Sequence, residues 1–146
     1  MKNISLIFVL MTFLSACTQM TTVNSSVISP IKAIELSAES APANLKGTFE
    51  FKVKSTDSEQ RLEFLNSEID YLDQRNLSIA LRPNAVKELK QKFGDNPKVF
   101  LLDKNVRVKG EAKRVKTWVL YKNKNTKRYY YQTKIFVKSA DQLTVL

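Results

Sequence analysis

The chain has 146 residues, with 24 Lys or Arg against 14 Asp or Glu for a formal charge of +10, no histidine and one cysteine. It is too short for two sizeable cores, and a single cysteine forbids an intramolecular disulfide. Without histidine, Ser-His-Asp and Cys-His catalysis and Cys/His zinc sites are excluded, and three glycines cannot build a Walker-type or G-x-G-x-x-G phosphate loop.

At the N-terminus Lys2 precedes an apolar run from Ile4 to Leu14. A membrane span needs about 20 apolar residues, so this run fits the apolar region of an export signal instead. Leu14-Ser15-Ala16-Cys17 closes the run and resembles the lipobox of bacterial lipoproteins. That resemblance implies a signal peptide over residues 1–16, cleavage before Cys17, and lipidation of Cys17 by a diacylglycerol and a further acyl chain such as palmitate. It also implies sorting to the outer membrane, facing the periplasm, because Thr18 and not an aspartate follows the cysteine. The expected attachment is by lipid, several chains giving lasting anchoring where one is marginal.

Residues 17–44 are the lipidated cysteine and a stretch rich in Ser, Thr, Ala and Asn with Pro30 and Pro42, a composition that predicts a flexible tether. Ile28, Ile31, Ile34 and Leu36 are its apolar exceptions and allow a short helix as the alternative. Residues 45–146 are then one domain. Phe49, Phe51 and Val53 alternate with polar residues and predict a first strand over Leu45–Ser55. Leu62 with Phe64, and Leu77, Ile79 and Leu81, predict a second strand in Arg61–Asn66 and a third near Leu77–Leu81. The connection Ser67–Arg75 is acidic, and its Ile69, Tyr71 and Leu72 are expected to fold back onto the core.

From Asn84 to Phe93 the apolar spacing changes to three or four, between Pro83 and Gly94, and predicts a helix of about three turns. Val106 and Val108 open a fourth strand, with a bulge or bend expected at Gly110. Lys122–Lys127 is expected as a turn. The segment from Tyr129 is extended again, and Leu143, Val145 and Leu146 form a short apolar tail that pairs or packs.

Three strands, a helix, a bent strand and a closing strand resemble the oligonucleotide/oligosaccharide-binding (OB) barrel, whose helix lies between strands three and four. Val106-Arg107-Val108-Lys109-Gly110 and Lys134-Ile135-Phe136-Val137 are similar to its fourth and closing strands. The resemblance implies a mainly β fold, a small five-stranded barrel with one helix; an α+β antiparallel sheet is the alternative.

Charge is divided unevenly. Leu45–Pro97 is balanced, nine basic against nine acidic residues, whereas Lys98–Leu146 carries thirteen against three. The basic half interleaves cations with rings, and Lys113, Arg114, Lys116, Trp118, Tyr121, Lys127, Arg128, Tyr130 and Lys134 are its candidate ligand-binding residues. Glu68, Asp70 and Asp73 are the one acidic cluster, without the spacing of an EF-hand, and are expected to be a solvated loop. No catalytic residue, metal or cofactor is assigned. The sequence therefore predicts a membrane-anchored, non-enzymatic envelope module that binds an anionic or extended ligand: nucleic acid, glycan or an anionic lipid surface. A structural or assembly lipoprotein that docks on a partner protein is the alternative.

Overall fold

The alternation around Phe49 does give a strand, β1 (Leu45–Lys52), but the chain then switches partners instead of continuing. Two residues on, β2 (Ser55–Glu59) begins at the far end of the same sheet. Val53 and Lys54 make the switch: the Val53 amide donates to the Lys104 carbonyl, and the Lys54 amide donates to Asn66, each at 2.9 Å. The structure, a computed structural model, describes residues 26–146 except Asn123, and the described side chains exclude those of Leu120, Tyr121 and Asn125. The expected signal peptide and the lipidated Cys17 lie outside the described residues.

The other strands are β3 (Leu62–Asn66), β4 (Leu77–Leu81), β5 (Asn105–Tyr121), β6 (Lys124–Val137) and β7 (Leu143–Val145). Seven strands, not five, make one sheet in the order β1-β5-β6-β4-β3-β2, with β7 paired to β5. All pairings are antiparallel except β4 with β6. The fold is mainly β with few helices. The helix expected after the third predicted strand is α2 (Pro83–Phe93), between β4 and β5, with Ala85 and Leu89 fully buried. Gly94 ends it at φ 79°, its amide donating back to Lys90, a left-handed cap that glycine adopts without side-chain strain. A further short helix, α3 (Pro97–Phe100), stacks Phe100 on Phe93 at 4.4 Å.

The segment expected to be a flexible tether up to Asn44 is built into the fold from Ile28 onward. The Ile28 amide donates to Thr48 (2.8 Å) and the Glu50 amide donates to Ile28 (3.3 Å), which covers the open edge of β1. Helix α1 (Pro30–Ser40) follows, with Pro30 in its first turn, and packs against β1, β4, β5 and β6. The residues it buries are Ala33 and Ser37, one turn apart, while Ile31 is 57% exposed. Small side chains let the helix approach closely; the isoleucine spacing is not what docks it.

A further expectation is corrected. Gly110 makes no bulge, since β1 and β5 keep one register from Leu45↔Ala112 to Lys52↔Asn105. Gly110 instead faces Gly47, and side chains occupy the space: a Cβ on Gly47 would stand 2.7 Å from the end of Ile28, and one on Gly110 3.0 Å from Ile135. In β3 the residue facing the core is Leu65, not Phe64, because both faces of this strand are covered.

Candidate functional site

Beyond Ala112 strand β5 has left β1, and before Thr133 strand β6 has not yet met β4. Residues 113–132 therefore form a two-stranded arm that continues past the sheet, each strand about 30 Å long at ~3.3 Å per residue. Side chains alternate across it, so the nine candidate residues do not share one surface. Lys113, Arg128, Tyr130 and Lys134 belong to the face turned toward β2, β3 and β4, whereas Arg114, Lys116 and Trp118 belong to the opposite face, opposite Thr133, Tyr131 and Tyr129. Lys127 is exposed near the hairpin end, and the side chain of Tyr121 lies outside the described residues.

The first face closes a cleft of about 600 Å³, within the usual ligand-site range of roughly 300–1,000 Å³. Its floor is the face of β3 and β4 turned away from the core: Phe64, Asn66 and Ser78. Tyr130, Gln132 and Lys134 of β6, with Thr117, Trp118 and Val119 of β5, make one wall, Trp118 reaching its edge from the opposite face; Asp57, Ser58 and Glu59 of β2 make the other. Tyr71, Leu72 and Gln74 form a rim from the β3–β4 loop. Ile69, Tyr71 and Leu72 thus do not fold onto the core as expected: Ile69 is 80% exposed and the other two are half exposed.

A buried polar network stiffens the floor. Ser78 Oγ donates to Asn66 Oδ1 at 2.7 Å, and Asn76 Nδ2 reaches Asn66, Ser78 and the Tyr71 carbonyl at 3.1–3.3 Å. Leu77 donates its amide to Ser67 Oγ at 2.8 Å. Such satisfied networks fix geometry, because each partner lost would leave a buried group unpaired. Gln132 Nε2 then donates to the Tyr71 carbonyl at 3.1 Å and ties the rim to the arm.

Lys134 stands 5.0 Å from the centre of the Phe64 ring. Burial pulls its amine below the ordinary lysine range, against the opposing pull of Glu59. Tyr130 is shifted upward by burial first, then by Tyr71 and the carboxylates of Glu59 and Asp70. The cleft thus offers one partly desolvated cation, the rings of Phe64, Tyr71, Trp118 and Tyr130, amides and hydroxyls, and a carboxylate wall. Composition alone could not reveal it: Asn66 and Ser78 sit in fully buried stretches where the sequence signals core.

The acidic cluster is spent on its own loop. Asp73 forms a two-pronged pair with Arg75 at 2.7 and 3.0 Å, which with the Arg75 backbone amide holds its carboxyl at about 2. Glu68 pairs with Lys54 at 2.9 Å, and Asp70 accepts from the Leu72 amide. Among the described residues no group of three or more His, Cys, Asp or Glu is placed to hold a metal ion.

No protein-family model matches this chain, and no curated protein does either. The chain is similar to a structure from Leishmania major Friedlin described as an aspartyl-tRNA synthetase, at 12% identity and a TM-score of 0.45, over 87% of this chain and 22% of that one. It is also similar to the aspartyl tRNA synthetase from Entamoeba histolytica, at 16% identity and a TM-score of 0.41, over 75% of this chain and 20% of that one. The chain thus spans about a fifth of the length of either.

Proposed function

We propose that this protein is a lipid-anchored, non-enzymatic binding module of the cell envelope, and that its cleft takes an extended glycan carrying isolated acidic groups. The anchor rests on the ordered signal of Lys2, the Ile4–Leu14 run and the Leu14-Ser15-Ala16-Cys17 lipobox, with Thr18 directing it to the outer membrane. The module is an OB-like barrel. In support, if β1 and β2 are counted as two halves of one bent strand and β7 as an addition beside β5, the order β1-β5-β6-β4-β3-β2 reduces to five strands with α2 between the third and fourth.

The observation that carries the ligand is the meeting of Phe64, Tyr130 and Lys134 in a cleft whose remaining lining combines the apolar and aromatic Tyr71, Leu72, Trp118 and Val119 with hydroxyls, amides and the carboxylates Asp57 and Glu59. Rings pack on the apolar faces of sugars, while amides donate to and accept from hydroxyls and carboxylates accept from them. One cation suits one acidic group. A phosphate chain would meet two carboxylates for that single lysine, so the cleft favours a glycan over nucleic acid. Calorimetric titration with acidic and neutral oligosaccharides and single-stranded DNA tests this. Saturable binding to the acidic oligosaccharide is expected, weakened roughly tenfold or more in Tyr130→Ala, where about 1.4 kcal/mol is tenfold. Preferential DNA binding that the same substitution removes would overturn the assignment.

A further inference from the structure

The opposite face of the arm carries a different surface. Between Ala112 and Ala140 the chain has nine Lys or Arg and no Asp or Glu. On this face Trp118, Tyr129 and Tyr131 remain 45%, 50% and 41% exposed, although each is large enough to anchor a core. They form a chain of edge-to-face contacts, Trp118 to Tyr129 at 5.6 Å and Tyr129 to Tyr131 at 5.8 Å. Cations lie over the rings: the Arg114 guanidinium is 3.8 Å from the centre of Tyr131, and Lys116 Nζ is 3.9 Å from Tyr129 and 4.6 Å from Trp118.

We infer that this face of the arm docks on a membrane surface of anionic phospholipid. Tryptophan and tyrosine settle where hydrocarbon meets headgroup, and Lys or Arg beside them keep their charge among the phosphates while their stems stay apolar. Each such cation adds to the attraction toward an anionic surface. Single-stranded nucleic acid fits less well, because stacking needs open ring faces and here Arg114 and Lys116 occupy them. The half-exposed rings have no acidic neighbour on the arm to repel a phosphate layer. The inference uses the anchored reading only to bring the arm to a membrane; of the residues it rests on, Trp118 alone also borders the cleft, and Arg114, Lys116, Tyr129 and Tyr131 do not line it.

Trp118 is the one tryptophan of the chain, so its emission reports the arm alone even when the lipid anchor is inserted. The full chain is reconstituted in vesicles whose lipids carry brominated acyl chains, either phosphatidylglycerol-rich or purely phosphatidylcholine. Quenching and a blue shift of Trp118 are expected in the anionic vesicles and not in the neutral ones, fading as salt rises. Arg114→Glu with Lys116→Glu should weaken this docking by on the order of tenfold or more; Arg114→Gln with Lys116→Gln serves if the reversal disturbs folding. Unquenched Trp118 in both vesicles, or equal quenching in both, overturns the proposal. So does single-stranded DNA that displaces Trp118 from anionic vesicles. Oligosaccharide affinity measured on the same variants should be unchanged, which separates failure of this face from failure of the cleft.

Discussion

Lys134 places a charge where the fold would be more stable without one. Because burial lowers its folded pKa below the ordinary lysine value, the desolvation cost is carried in full at neutral pH and relieved only as pH rises through the window between the two values. Replacing it with an apolar chain of similar length removes that cost and keeps the contact with Phe64. Lys134→Met is therefore expected to melt no lower than the wild type, while acidic-oligosaccharide affinity falls about tenfold or more with the loss of a charged hydrogen bond. Thermal melting and calorimetry on the same sample check both halves. Asp73 has the opposite sign. Its depressed pKa means that its pairing with Arg75 stabilises the loop above the ordinary Asp range and is lost as pH falls toward about 2. The pair is solvent-exposed, so the expected effect is local: amide exchange at Leu72 to Asn76 should quicken below pH ~4 in the wild type, and already at neutral pH in Asp73→Asn.

At the scale of elements, α1 separates what the sequence could signal from what it could not. Its docking stripe is Ala33 and Ser37, too small and too polar to register as an amphipathic face, while the conspicuous Ile31 points to solvent. Ala33→Leu is thus expected to cost about 1–3 kcal/mol by overpacking, and Ile31→Ala less than about 0.5 kcal/mol, read by urea denaturation; a free tether would give near zero for both. Where large apolar residues alternate or recur at helical spacing, as in β4 and α2, the strand and helix were legible and the structure keeps them. Where burial is two-sided the period does not tell which face is the core, and Phe64, whose alternation with Leu62 predicts the strand, floors the cleft while Leu65 enters the core. The candidate site was half legible for a related reason. Its cations and rings stand out in composition, but the alternation of a hairpin divides them between two faces, and the second wall comes from β2, distant in sequence and ordinary in composition.

For the whole molecule, the incorporation of α1 changes how far the domain could stand from the proposed lipid anchor at Cys17. A tether running to Asn44 would span on the order of 90 Å when extended, but with Ile28 hydrogen-bonded to β1 only ten residues separate it from Cys17, a reach of at most ~33 Å at ~3.3 Å each. If Cys17 is lipidated as proposed, the basic arm is thereby held at high effective concentration near the lipid surface, and the proposed docking becomes an intramolecular step. Lengthening that connection by a flexible insert should weaken docking without touching either face of the arm. For an insert of ~20 Gly/Ser residues between Asn24 and Ser25, the fall with the three-halves power of length is about fivefold. Trp118 quenching in anionic brominated vesicles reads this directly, and the oligosaccharide affinity of the insertion variant, which depends on the cleft alone, should equal that of the wild type. Undiminished quenching would mean that the arm holds the membrane tightly enough to ignore the anchor, and a loss of cleft affinity would mean that residues before Ile28 also help to shape the fold.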